Sequence, residues 1–237
     1  MEQSATAKKR ERNAEVLRAP EKTGRYSNRT QREKNSPNTY MAILFLLLAS
    51  SVYLSTVGTK AETDLLQQYI PIAEMRSLTL PDGTKVQLNS KSTLLYPQEF
   101  TGDSRSVFLL GEANFKVKPD KKRPFIVKSN DLQITALGTE FNVSAYPESQ
   151  EIATTLISGS IRVDYNNLTT SVILHPNEQF AYNRNNKKYD LSNPDMDDVT
   201  AWQRGELVLQ KMTLTDIINV LERKYPYAFV YSIKNLK

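Results

Sequence analysis

Between Lys34 and Lys60 the chain runs for 25 residues without a charge, and the middle of that run reads YMAILFLLLASSVYLSTVG. No other feature limits the architecture so sharply. At about 1.5 Å per residue a helix of that length reaches about 37 Å, more than the roughly 30 Å hydrocarbon thickness of a bilayer. One membrane crossing is therefore expected over residues 39–59, with Tyr40 and Tyr53 toward the two interfaces. A cleaved signal peptide is the competing reading. A long segment precedes the apolar core and no small-x-small alanine pair follows it, which favours an uncleaved anchor.

Charge sets the direction of the crossing. Residues 1–38 carry ten Lys and Arg against five Glu, which accounts for the whole net charge of +5 and leaves the remainder neutral. Five of those basic residues fall between Lys22 and Lys34, whereas the other flank begins KAETD. The basic tail should stay in the cytoplasm and everything from Lys60 should lie outside, in the periplasm of a two-membrane bacterium. The tail is explained as a cytoplasmic flank, and direct nucleic-acid binding is not expected.

After a short polar linker or helix over 60–75, containing ETDLLQQYI, short strands follow closely through 76–191. Phe115 with Val117, Phe125 with Val127, Phe141 with Val143 and Ile161 with Val163 keep a period of two, so one face of each strand belongs to a core. Strands at such close spacing, separated by turns, predict an all-β domain. SLTLPDGTKVQLN and SVILHPNEQFAYN both read strand, Pro-turn, strand, which suggests stacked hairpins or a solenoid-like form. In the first, Asp82 and Gly83 sit between two alternating strands; Gly83 suits a positive φ, and the Asp82 carboxylate can close the turn on nearby amides. Asp82 is therefore expected to serve turn geometry alone.

No catalytic set can be assembled. The chain has no cysteine and one histidine, His175, before Pro176 in a turn. Thiol chemistry, thiolate metal sites and a Ser-His relay are thereby excluded. No phosphate loop, HExxH or GxSxG occurs, and Asp195, Asp197 and Asp198 fall in a Pro-containing linker over 192–201, where a solvated run is expected. Neither an enzyme nor a metal or other cofactor is expected. NRT, NVS and NLT match the glycosylation sequon as chance tripeptides.

The segments LPDGTKVQLNSKSTLLYP, RSVFLLGEANFKV, RPFIVKS, ALGTEFNVSAY and ISGSIRV, in this order, resemble the outer domain of FecR-family regulators, the transmembrane anti-sigma factors. The resemblance covers residues 76 to about 182. Gly111 with Glu112, Gly138 with Thr139 and Phe141, and Gly159 fall on its pattern, and they read physically as turn glycines and core aromatics. It implies a relay in the inner membrane: the signalling domain of an outer-membrane TonB-dependent receptor engages the outer part, and the cytoplasmic tail controls an extracytoplasmic-function sigma factor. Residues 1–38 are shorter than the usual cytoplasmic domain of such proteins. A membrane-anchored adhesin or carbohydrate-binding scaffold is the alternative.

The block AWQRGELVLQKMTLTDIINVLERKYPYAFVY is similar to the opening of the small domain that follows in many family members. Strand ELVLQ, helix TLTDIINVLERKY and strand YAFVYS over 202–237 would make a partial βαβ unit, cut short at Lys237. Leu214, Ile217, Ile218 and Leu221 form one apolar stripe, with Thr213 and Asp216 as a capping box. Such a stripe must be covered, so the unit should either dock on the β-domain or complete its sheet with a partner. Trp202, Ile217, Leu221 and Phe229 are the candidate partner-binding residues.

Overall fold

The computed structural model describes residues 37–57, 64–210 and 212–229, with side chains in the first segment described for residues 38–53. The chain divides into two compact units, residues 1–60 and 61–237. In the first, helix α1 (Pro37–Val57) forms over 21 residues. It has no acidic residue in its first turn and no basic residue in its last. Every described side chain from Asn38 to Tyr53 is exposed. Among the described residues no helix is long and apolar enough to cross a membrane. Residues 1–36 of the basic tail and residues 58–59 of the expected span lie outside the described residues.

The second unit is a thirteen-stranded sheet curled into two leaves. Strand β5 (Arg105–Lys116) belongs to both. Its first half lies between β4 (Thr93–Pro97) and β6 (Phe125–Ser129), and its second half lies between β3 (Lys85–Leu88) and β8 (Glu140–Ala145). In the first leaf β1 (Leu65–Tyr69) pairs with β4, and beyond β6 come β7 (Leu132–Ala136), β10 (Ile161–Tyr165) and β11 (Thr170–Leu174). In the second leaf β2 (Arg76–Thr79) pairs with β3, and beyond β8 come β9 (Glu151–Ser158), β12 (Gln179–Asn183) and β13 (Tyr189–Ser192). From β6 onward the chain lays down hairpins in alternate leaves: β6–β7, then β8–β9, then β10–β11, then β12–β13. Each hairpin stacks on the one laid down two earlier, as β7 pairs with β10 and β9 with β12.

The alternation read from the sequence is what fills the space between the leaves. Phe115, Phe125, Phe141, Val127, Val143 and Val163 are fully buried. Phe115 lies 5.4 Å from Phe141 within its own leaf and 6.0 Å from Phe125 in the other. At the far end, Tyr165 of β10 meets Phe180 of β12 at 5.3 Å. Deleting any of the three Phe rings would remove about 3–5 kcal/mol.

Three expectations are corrected. Leu65–Tyr69 is strand, not helix or linker, because its backbone pairs with β4 from Leu65 opposite Pro97 to Tyr69 opposite Thr93, and the following Ile70 is buried in the core. The two look-alike segments are not equivalent. SLTLPDGTKVQLN is the β2–β3 hairpin, whereas SVILHPNEQFAYN carries the chain from β11 in one leaf to β12 in the other, with the turn closed by the His175 N–H donating to Glu178 at 2.8 Å. Among the described residues the C-terminal segment shows no βαβ unit. ELVLQ forms no strand, nor do the described residues 227–229 of YAFVYS, because neither pairs with a strand edge among the described residues.

Helix α2 (Met196–Thr200) instead occupies the expected linker, with Asp195 accepting from the Asp197 N–H as its cap. A 3-10 helix (Ala201–Arg204) follows and ends at Gly205. Helix α3 (Leu214–Lys224) then starts from the expected capping box of Thr213 and Asp216.

Candidate functional site

The three family-pattern glycines mark three of the points where the chain passes from one leaf to the other. Gly111 lies in the middle of β5, where pairing switches leaves; Gly138 lies between β7 and β8, and Gly159 between β9 and β10. Gly111 has φ +105°, and a Cβ there would run into Ser92, whose Cα would stand 2.7 Å away. Gly159 has φ +94°, and the methyl of Thr139 occupies the space a Cβ would need, at 2.6 Å. Thr139 and Phe141 are buried, the latter in the core.

Gly83 sits at positive φ in the β2–β3 turn, as expected. Asp82 also closes that turn, accepting from the Thr84 N–H at 2.9 Å and the Thr84 hydroxyl at 2.7 Å. It does more than this, which corrects the purely geometric reading. Its Oδ2 accepts from Arg105 Nη1 at 2.6 Å, and the two side chains are 3 % and 1 % exposed. Arg105 also donates to the carbonyls of Arg123 and Lys118, each at 2.9 Å, and lies over the Phe125 ring. No local pattern announces a partner 23 residues away.

Glu112, next to Gly111, points away from the core on the outer face of the second leaf. Its carboxylate accepts from Asn89 Nδ2 at 2.8 Å and Asn142 Nδ2 at 3.0 Å. Burial raises its pKa above the usual carboxylate value, against the lowering effect of those two amides and of the Arg223 charge. Glu112 forms part of the floor of a cavity of about 410 Å³, with Asn142, Thr155 and Gln179 beside it. The roof is the C-terminal segment, including Trp202, Leu207, Met212 and Val220. Glu151 lines the same cavity, its pKa raised by burial and then by Asp190 and Asp216.

The C-terminal segment therefore docks on the β-domain, and its last helical turn is pinned by Arg223. That guanidinium donates to Glu148 at 2.8 Å and stacks over the buried Tyr146 ring at 3.8 Å, while the Arg223 carbonyl accepts from the Ala73 N–H at 3.0 Å. In the sequence Arg223 lies off the apolar stripe, so nothing local singles it out. Of the stripe, Ile218 is buried, Ile217 and Leu221 are half-buried and Leu214 is exposed. Trp202 is half-buried in the 3-10 helix, and its indole Nε1, itself buried, makes no hydrogen bond among the described residues. Phe229 is exposed beyond the helix. The structure thus places Trp202, Ile217 and Leu221 in the docked segment and Phe229 beyond its last helix.

Among the described residues no group of three or more metal-ligating side chains occurs. The FecR protein family model matches residues 70–162. Two crystal structures of a candidate anti-sigma factor from Parabacteroides distasonis are similar to the chain. The first is 37% identical with a TM-score of 0.66, covering 69% of this chain and 76% of that one. The second is 37% identical with a TM-score of 0.65, covering 68% and 75%. No curated protein matches the chain. With the leaf-crossing glycines, the β-domain and a relative at this identity in agreement, the chain belongs to the FecR protein family.

Proposed function

We propose that this protein is a single-pass inner-membrane regulator of an extracytoplasmic-function sigma factor. The observation that carries the reading is the 37% identity to a candidate anti-sigma factor over 76% of that chain. Helix α1 supports the anchor: 21 residues without a charge extend about 31 Å, close to the hydrocarbon thickness, and its described side chains are all exposed. Side chains are described for residues 38–53 of this helix, a stretch too short to span, and in the sequence the charge-free run continues to Thr59. The basic flank assigns residues 1–38 to the cytoplasm, where the sigma factor would be met, and the β-domain to the periplasm.

The periplasmic input would come from the signalling domain of an outer-membrane TonB-dependent receptor. Its landing surface would be the C-terminal segment, which presents Leu214, Tyr225, Tyr227 and Phe229 to solvent beside the docked Trp202. The test is genetic. Deleting the gene and restoring it should change transcription from the promoters of one extracytoplasmic-function sigma factor, and residues 1–38 should co-purify with that factor. Unchanged transcription from all such promoters would overturn the proposal.

A further inference from the structure

The outer face of the second leaf carries one continuous row of uncharged hydrogen-bonding side chains. Gln87 of β3 stands opposite Asn114 of β5, Asn114 opposite Asn142 of β8, Asn142 opposite Thr155 of β9, and Thr155 opposite Gln179 of β12. Ser77 and Ser192 close the two ends, opposite Gln87 and Gln179. Because side chains alternate along each strand, these positions share one face while Val86, Phe115, Phe141 and Phe180 beside them enter the core. The row therefore crosses all seven strands of the leaf at a single level. The next level on one side is charged, with Lys85, Lys116 and Glu140 in register, and the level on the other side carries Glu112 opposite Ser144.

Two openings give onto this row. The cavity of about 410 Å³ holds Asn142, Thr155 and Gln179 in its floor and Trp202 in its roof, and carboxylates and cations, among them Glu112, Glu151 and Arg223, line it as well. A groove of about 530 Å³ is lined by Ser77, Gln87, Asn114 and, from the 3-10 helix, Gln203. Both volumes fall in the range of small-molecule sites. Hydrogen bonding along the row is incomplete at its centre. Asn114 is 6 % exposed and Asn142 is 4 % exposed, yet among the described residues Asn114 Nδ2 and Asn142 Oδ1 have no partner, and neither has Trp202 Nε1. The Asn114 donor and the Asn142 acceptor thus stand opposite each other in adjacent strands, and Asn142 shares its cavity with the Trp202 indole. Native interiors seldom leave such atoms unmatched.

We propose that this row is a binding site for a neutral, polyhydroxylated ligand, an oligosaccharide segment lying across the strands with one unit against the Trp202 ring. Asn and Gln side chains each offer a donor and an acceptor, and a sugar hydroxyl is likewise both, so a row of amides matches a row of hydroxyls without any need for charge. The indole supplies an apolar face together with one donor. A peptide would be recognised differently: its main chain pairs with a free strand edge, whereas this row lies on a sheet face and offers side chains alone. The inference is separate from sigma-factor regulation and stands or falls without it.

Trp202 is the chain's single tryptophan, so its fluorescence reports on this site. The experiment titrates the full chain, held in a sugar-free zwitterionic detergent, with neutral hexaoses of glucose, xylose, mannose and galactose. Hexagalacturonate and a neutral Gly-Ser hexapeptide serve as controls. At least one neutral hexaose should give a saturable change with a Kd below about 1 mM. Gln87→Met and Gln179→Met keep side-chain length and remove both hydrogen-bonding atoms, and each should weaken binding roughly five-fold. Melting midpoints equal to that of the parent show that the variants fold, and a variant that melts lower is replaced by the corresponding Glu. The proposal is overturned if no hexaose gives a saturable response up to about 10 mM. It is equally overturned if the response is the same in folded variants, or if hexagalacturonate or the peptide binds as tightly.

Discussion

Asp82 and Arg105 form a buried ion pair, with Oδ2 and Nη1 2.6 Å apart, that ties the β2–β3 turn to the first residue of β5. The turn and the pair draw on the same carboxylate, since Oδ2 also accepts from the Thr84 hydroxyl. A turn residue that serves only its own turn can be exchanged cheaply. One that neutralises a buried guanidinium cannot, because the remaining charge has no compensation.

Asp82→Asn is therefore expected to cost about 3–5 kcal/mol, the range for removing one partner of a buried pair. Asn keeps an acceptor for the Thr84 N–H, so loss of the turn contributes little. Urea unfolding of a fragment covering residues 61–237 would measure it. The double variant Asp82→Asn with Arg105→Met should be less destabilised than the sum of the single changes. A cost for Asp82→Asn below about 0.5 kcal/mol would restore the turn-only reading.

Gly111→Ala should cost roughly 2–5 kcal/mol, combining the strain of a positive φ with overpacking against Ser92. Gly83→Ala should cost about 1–2 kcal/mol, because the atom its Cβ would meet is the Lys118 Cδ at 3.0 Å, on a side chain that can move aside. The ratio of the two, read from melting curves of the variants, separates a leaf crossing from an ordinary turn.

Arg223→Ala should release the last turn of α3 while leaving the β-domain intact. Amides of Ile217 to Leu221 should exchange about ten-fold faster, as a loss of about 1.4 kcal/mol in docking predicts. Amides of β5 and β8 should be unchanged. Glu148→Ala should produce a weaker version of the same effect, since the stacking on Tyr146 survives. Uniform loss of protection in both regions would mean that helix and sheet unfold as one unit.

Glu112 gives a pH dependence of determinate sign. Its folded pKa is raised above the ordinary 4.5, so the folded state holds its proton more tightly than the unfolded chain does. This group's contribution to stability is most favourable below about pH 4.5, declines as pH rises through the raised value, and is flat above it. Glu112→Gln should remove that decline, and the Asn142 amide can turn its free Oδ1 toward the new NH2. Melting midpoints of parent and variant from pH 4 to 8 should diverge in favour of the variant as pH rises. Parallel curves would refute the assignment.

Alkaline phosphatase fused after Lys237 should be active and green fluorescent protein at the same point dark, as the basic flank at Lys22–Lys34 requires. The opposite pattern would reverse the proposed topology and with it the relay.

Local chain geometry is legible without a fold. The period of two in Phe115–Val117 and Phe141–Val143 identified the core faces, Thr213 and Asp216 identified the start of α3, and the charge-free run after Lys34 set apart the first unit. Each of these depends on residues a few positions apart, whose relation is set by rise and twist. The rest depends on partners far along the chain. LLQQY became strand because β4 offers it a backbone edge, while ELVLQ, with as many β-forming residues, found none. Asp82 acquired Arg105, Arg223 acquired Glu148 and Tyr146, and seven separate strands brought their amides and hydroxyls into one row. Strand order and register decide such contacts, and they are fixed by the packing of the two leaves as a whole, with β5 free to serve both only because Gly111 lets it cross.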